Sequence, residues 1–164
     1  MRRSERMMAA KESERFLAQA QVGRLGTSRN NKPYVTPLNF VYEKGSVYFH
    51  CAREGKKLTN MAENKRVCFE ADEFFGVKQV SEGAAACTSS TYYRSVIAFG
   101  KAQIVKSNER RRRILEKLVA KYRQTRQSST RPILDNEKLA NTTIIKIRIS
   151  QITGKQNLPD KLKT

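Results

Sequence analysis

The sharpest apolar–polar alternation in the chain lies at residues 47–51, where Val47 and Phe49 fall on one face of a strand and Tyr48 and His50 on the other. A polar turn follows. Gly55, Lys56 and Lys57 then open a helix whose Leu58 and Met61 lie three residues apart on one side. Upstream, residues 12–21 read as a helix with Phe16, Leu17 and Ala20 on its apolar side, ended by Gly23. Two strands are expected next, at residues 22–27 and 33–42, joined by a turn rich in residues that tolerate left-handed backbone, Asn30 and Asn31 among them. Pro37 cannot donate to a ladder, so the second of these strands belongs at a sheet edge or at a bulge. Residues 43–46 turn the chain into the strand at 47–51.

Downstream, residues 65–72 alternate as a strand, with Val67 and Phe69 opposite Cys68 and Glu70. Periodicity is then lost over residues 73–91, which read as a long connection. A long strand resumes at 92–105, where Val96, Ala98 and Ala102 alternate against Ile97 and Phe99, and Gly100 marks a bulge or a close approach. Ser107 or Asn108 caps a helix over 109–122, with an apolar stripe of Ile114, Leu115, Leu118 and Val119 and a solvated face carrying Lys117 and the arginines at 110–113. A polar loop at 124–131, a short helix at 134–140 and a β-branched strand at 142–149 complete the pattern. The expected architecture is one domain, residues 1–164, with a core of about 12–155 between tails 1–11 and 156–164. It is mainly β, with antiparallel strands closing a small or split barrel flanked by helices.

Charge changes this picture more than composition does. The chain carries 33 Lys+Arg against 15 Asp+Glu, a formal net charge of +18, and residues 101–164 supply 17 of the bases and 5 of the acids. Such a field attracts phosphates and polyanions, so non-specific polyanion binding at low salt is expected. No recognised nucleic-acid-binding signature accompanies it. No apolar run approaches the roughly 20 residues of a membrane span, and a cytoplasmic, membrane-free protein is the default. Cys51, Cys68 and Cys87 are odd in number and widely spaced, which fits neither a disulfide framework nor a metal site.

Lys56 and Lys57 are the main chemical signal. Two cations at a helix N-terminus are unfavourable beside the positive end of the dipole, unless a phosphate draws them and the backbone N–H groups together. The competing reading is a solvated basic turn. His50 reads either as a ligand contact or as an ordinary histidine, and Cys51 as a small apolar residue rather than a redox thiol. No nucleophile elbow, metal-ligand cluster or GxGxxG fingerprint is present, so no catalytic side chain is assigned, and any catalysis would fall to a cofactor.

The stretch VYFHCAREGKKLTNM (residues 47–61) resembles the FMN-binding proteins related to pyridoxamine 5'-phosphate oxidase, in the branch of the nitroimidazole-resistance proteins. QVGRLGTS (21–28), KPYVTPLNFVY (32–42), YRSVIAFGKA (93–102) and IIKIRISQITGK (144–155) follow the same family in order. The resemblance implies a six-stranded antiparallel split barrel, FMN as cofactor and a homodimer with FMN at the subunit interface. It implies that Val35, Thr36, Pro37, Leu38 and Asn39 line the flavin ring and that Lys56 and Lys57 hold the FMN phosphate. His50 and Cys51 match a polar pair at the end of the preceding strand, and Ser95 a polar side chain at the pyrimidine end of the ring. The basic and aromatic C-terminal segment of the oxidases has no counterpart after Thr142, so the implied activity is reduction of a small molecule such as a nitro compound. Alternatives are a flavin- or haem-binding protein without turnover, a deazaflavin in place of FMN, or a basic polyanion-binding protein on the same fold.

Overall fold

The computed structural model describes residues 4–79, 89–123 and 141–162. In these, β1 (Met7–Met8), α1 (Ala10–Gln19), β2 (Gly23–Arg29), β3 (Lys32–Leu38), β4 (Val41–Glu43) and β5 (Ser46–Cys51) make the N-terminal half. α2 (Lys56–Glu63), β6 (Arg66–Lys78), β7 (Ser90–Ile104), α3 (Asn108–Arg123) and β8 (Thr143–Asn157) follow. The strands form one antiparallel sheet in the order β3-β2-β6-β7-β8-β5-β4, with β1 added to β8. The fold is mainly β with flanking helices, as expected. The sheet has eight strands rather than six, and it does not close: β3 and β4 are its two ends.

Several boundaries depart from the sequence reading, each for a local reason. The strand expected over 33–42 splits into β3 and β4 at Asn39 and Phe40, where Phe40 turns in and is fully buried edge-on against Phe69, ring centroids 4.8 Å apart. Pro37 sits on β3, an edge strand, where its missing N–H costs no ladder bond. Gly23 opens β2 rather than ending α1, because the Phe69 ring fills its side-chain space and a Cβ would lie 2.1 Å from it. β6 and β7 run on to Lys78 and from Ser90, so residues 73–78 and 90–91 of the expected connection are strand. Met7 and Met8, placed in the N-terminal tail by the sequence, pair with Lys155 and Gly154. The loop and short helix expected over 124–140, and Cys87, lie outside the described residues.

The inner faces of the strands alternate as the sequence predicts. Leu25, Val47, Phe49, Phe69, Val96, Ala98, Ile145 and Ile147 are buried together with Phe16 and Leu17 of α1. At roughly 1.5–3 kcal/mol for each large side chain buried, this cluster dominates the favourable side of folding. A second cluster lies on the opposite face, where Ile114 and Leu118 of α3 cover Val41, Tyr48, Val105 and Ile144. α3 thereby buries Tyr48, which alternation alone assigns to the same side as exposed His50. Ser107 Oγ accepts the N–H of Arg110 at the start of α3. The basic face of this helix is partnered, contrary to expectation: Arg110 donates to the Tyr48 hydroxyl, Arg111 to the Thr142 carbonyl, and Arg113 and Lys117 to Glu43. Gly100 meets both expectations for it, since the β7–β8 register shifts beside it and a Cβ there would lie 2.3 Å from the Arg148 carbonyl oxygen. No helix of the described residues is long and apolar enough to cross a membrane.

Candidate functional site

α2 follows β5 across a short turn and packs beside β2, on the β3 side of the sheet's open seam. Gly55 precedes it with φ 132°, a backbone conformation that a side chain would strain, and no side chain caps the helix start. The N–H groups of the first turn therefore keep the donor capacity that a cap would use. Lys56 reaches toward one edge of the seam, its Nζ 4.7 Å from the centroid of the Tyr34 ring on β3. Half-buried Lys57 carries its charge near the Cys51 thiol at the end of β5 and opposes the rise in that thiol's pKa. Lys56 thus faces an edge strand, and Lys57 lies near the end of β5, beyond the residues that β4 pairs.

Buried polar contacts fix α2 in this position. Asn60 donates to Thr27 Oγ1 at 3.0 Å within the protein interior, and that hydroxyl lies 3.2 Å from the Tyr34 carbonyl, to which it donates. Asn64 adds a bond to the Ser28 carbonyl. Asn30 and Asn31, at φ 48° and 59°, close the β2–β3 turn as left-handed residues. A recess of about 520 Å³ between that turn and α2 is lined by Arg29, Asn30, Lys32, Lys56, Thr59 and Asn60. Arg29 is paired with Glu63 at 2.6 Å, which leaves Lys32 and Lys56 as the cations of this recess without an acidic partner among the described residues. On the other flank of α2 a larger hollow of about 840 Å³ runs from Gly55, Leu58 and Met61 to Ile104 and Ile145.

The expected site residues divide into three groups. Lys56 lies against β3, whose Val35 and Pro37 are exposed and whose Thr36 and Leu38 are half-buried, with exposed Asn39 just past its end, while Lys57 lies near Cys51 at the end of β5. The Thr36 Oγ1 is buried without a hydrogen-bond partner, an unsatisfied acceptor and donor on the strand expected to follow the cofactor ring. His50 points to the opposite face of β5 from Cys51; it is exposed, yet crowding around the ring lowers its pKa by desolvation. Burial raises the Cys51 thiol, a rise that Lys57 partly offsets, so the thiol stays protonated near neutral pH. Ser95 is apart: it lies on the outer face of β7 between Asp72 and Lys155, seven residues, or roughly 24 Å of strand, from Ala102 beside α2.

Tyr34, Lys32, Arg29 and Asn60 were not legible as site residues. Asn60 carried the one available signal, a polar residue on the buried side of a short amphipathic helix. Among the described residues no group of three His, Cys, Asp or Glu is placed to hold a metal. What the seam offers is anion binding at a helix start, a strand edge with free backbone groups, and an orphaned hydroxyl.

An open antiparallel sheet with flanking helices, one of them opened by two lysines beside β2 and β3, defines a split-barrel protein. The chain belongs to the family described as pyridoxamine 5'-phosphate oxidase, matched over residues 9–156. Its backbone is similar to that of a Bacteroides thetaiotaomicron protein provisionally described as a 5-nitroimidazole antibiotic resistance protein, with 25% identity and a TM-score of 0.74 over 91% of this chain and 85% of that one. It is similar also to the flavocytochrome Anf3 of Azotobacter vinelandii (19% identity, TM-score 0.78, 93% and 70% covered). An FAD-binding protein of Mesorhizobium loti shares the fold at 22% identity and a TM-score of 0.67, with 93% and 97% covered. No curated protein matches the chain.

Proposed function

We propose that the protein binds a flavin, FMN in the first instance, along the seam, and acts as an oxidoreductase on a small molecule such as a nitro compound. The carrying observation is the uncapped start of α2, where Lys56 lies over the Tyr34 ring beside a recess that it shares with Lys32. In this reading the first-turn N–H groups and the two lysines hold the phosphate, and the edge of β3 from Val35 to Asn39 meets the ring with backbone donors and acceptors. A bound flavin supplies hydride or electron transfer, and the chain supplies binding and orientation. The names of the similar proteins, a flavocytochrome, an FAD-binding protein and a nitroimidazole-resistance protein, support this choice of cofactor and substrate class.

We propose further that the site is completed in a homodimer. Val35, Ile97 and Phe99 are exposed on the outer face of the sheet, with Phe74 farther along it, and Ser95 lies in that same face. A second copy seated there would cover this apolar surface and bring its own Ser95 toward a flavin that the first copy holds. Free Cys51 and Cys68 suit a cytoplasmic setting.

The test is the absorption spectrum of protein as isolated, followed by paired titration of FMN and riboflavin into wild type and the Lys56→Ala/Lys57→Ala variant. Flavin bands, with FMN binding weakened in the variant and riboflavin binding little changed, are expected. A haem Soret band in their place, or equal loss of both ligands, overturns the assignment.

A further inference from the structure

Arg66 on β6, Lys101 on β7 and Arg148 on β8 stand directly opposite one another, so three cations share one row on the outer face of the sheet. All three are exposed, and among the described residues none is paired with an acid. At the usual strand spacing the row spans about 10 Å. Like charges directly opposite one another oppose strand pairing, so this placement is unfavourable until an anion lies across it. Followed outward, the row passes through Ser46 to Glu43, but that carboxylate is already bridged by Arg113 at 2.9 Å and Lys117 at 2.5 Å. α3 therefore extends the cationic surface. The acids farther along β6 on the same face, Glu70 and Asp72, are held by Arg24. Lys146, two residues before Arg148, adds a fourth charge to the same face.

We propose that this row is a docking surface for a nucleic-acid backbone, whose phosphodiesters lie across β6, β7 and β8 toward α3 and are bound without regard to base sequence. None of the three row residues lines the three main recesses among the described residues, and they form a line on an open sheet rather than a cage around a single phosphate. A linear polyanion fits that geometry, and the net charge of +18 draws it in from a distance. None of the row residues is assigned to the flavin, but the row borders Phe99 on the face proposed for the second copy, so sedimentation and flavin content are measured for each variant alongside DNA binding.

Fluorescence anisotropy of a short fluorescein-labelled DNA duplex, followed against KCl concentration, reads the number of phosphate contacts from the slope of log K against log salt. The variant Arg66→Gln/Lys101→Gln/Arg148→Gln is expected to flatten that slope by about 2 to 3. The control Lys11→Gln/Lys78→Gln/Lys161→Gln removes the same net charge at exposed sites elsewhere and is expected to flatten it by less than about 1. The row variant should also keep or raise its unfolding midpoint at low salt, because it removes like-charge repulsion within the sheet. Should it fail to fold, Lys101→Gln alone is expected to change the slope by about 1. Equal flattening by row and control variants, no retention of duplex by wild type at low salt, or competition by poly-glutamate as strong as by duplex at equal charge each overturns the proposal.

Discussion

The Tyr122 hydroxyl on α3 accepts the Phe40 N–H at 2.8 Å and lies 2.7 Å from the Gln21 carbonyl, to which it donates. Phe40 falls in the gap between β3 and β4, where the backbone has lost its strand partner. One phenol thus serves the β3–β4 break and the segment between α1 and β2 together. Tyr122→Phe strands a partly buried N–H and is expected to lower unfolding free energy by about 1 to 3 kcal/mol, measured by urea denaturation. An unchanged midpoint would mean that solvent replaces the hydroxyl.

Beside it, Lys121 donates to the Ala20 and Phe40 carbonyls and sits 4.2 Å from the centroid of the Phe40 ring. Burial outweighs these contacts and lowers its pKa from 10.5 to about 8. Between those two values the unfolded chain binds more protons than the folded one, so this group makes stability rise as pH increases through the window. Discounted for the exposed part of the side chain, the gain is about 1 to 2 kcal/mol. The difference in unfolding free energy between wild type and Lys121→Met, measured across that pH range, should move in favour of wild type; a flat difference would contradict the shift.

Gly100→Ala places a methyl against the Arg148 carbonyl, where backbone rather than a flexible side chain must yield. A loss of about 2 to 3 kcal/mol is expected, against a much smaller effect for Gly26→Ala, whose nearest neighbour is 3.4 Å away. Thermal melting of the two variants separates the cases.

For the flavin, each charge-assisted contact to phosphate is worth roughly 1.5 to 3 kcal/mol. With a discount for exposure, removing both Lys56 and Lys57 should weaken FMN by about 30-fold to 1000-fold. The single variants should share the loss if both lysines hold the phosphate. A loss confined to Lys56→Ala would move the phosphate toward the recess that Lys32 also lines.

Ile97→Glu/Phe99→Glu places two carboxylates in the exposed apolar face of β7. Sedimentation at micromolar concentration should show a dimer for wild type and a monomer for the variant, with flavin affinity falling in parallel. A wild-type monomer that still binds FMN tightly would remove the second copy from the site.

Alternation and turn chemistry made much of the sheet legible in advance. Period-two burial over residues 66–72 of β6 and 95–103 of β7 follows from side chains alone, whereas β5 and β8 bury both faces where α3 covers them, and the left-handed Asn30 and Asn31 set the first hairpin. The lysine-opened helix was equally visible, because an uncapped start with two cations contradicts local preference. Long-range contacts supplied the rest. Phe69 decides that Gly23 begins a strand, and Phe40 decides that one expected strand becomes two. Neither residue signals its partner within the span of a local pattern. The lysines were readable one by one, but the contact of Lys56 with Tyr34 depends on how β3 sits beside α2, and the row of Arg66, Lys101 and Arg148 exists only in the strand register. Local periodicity sets which face a side chain takes. Pairing between segments dozens of residues apart sets what stands beside it, and charge and chemistry at a site depend on those neighbours.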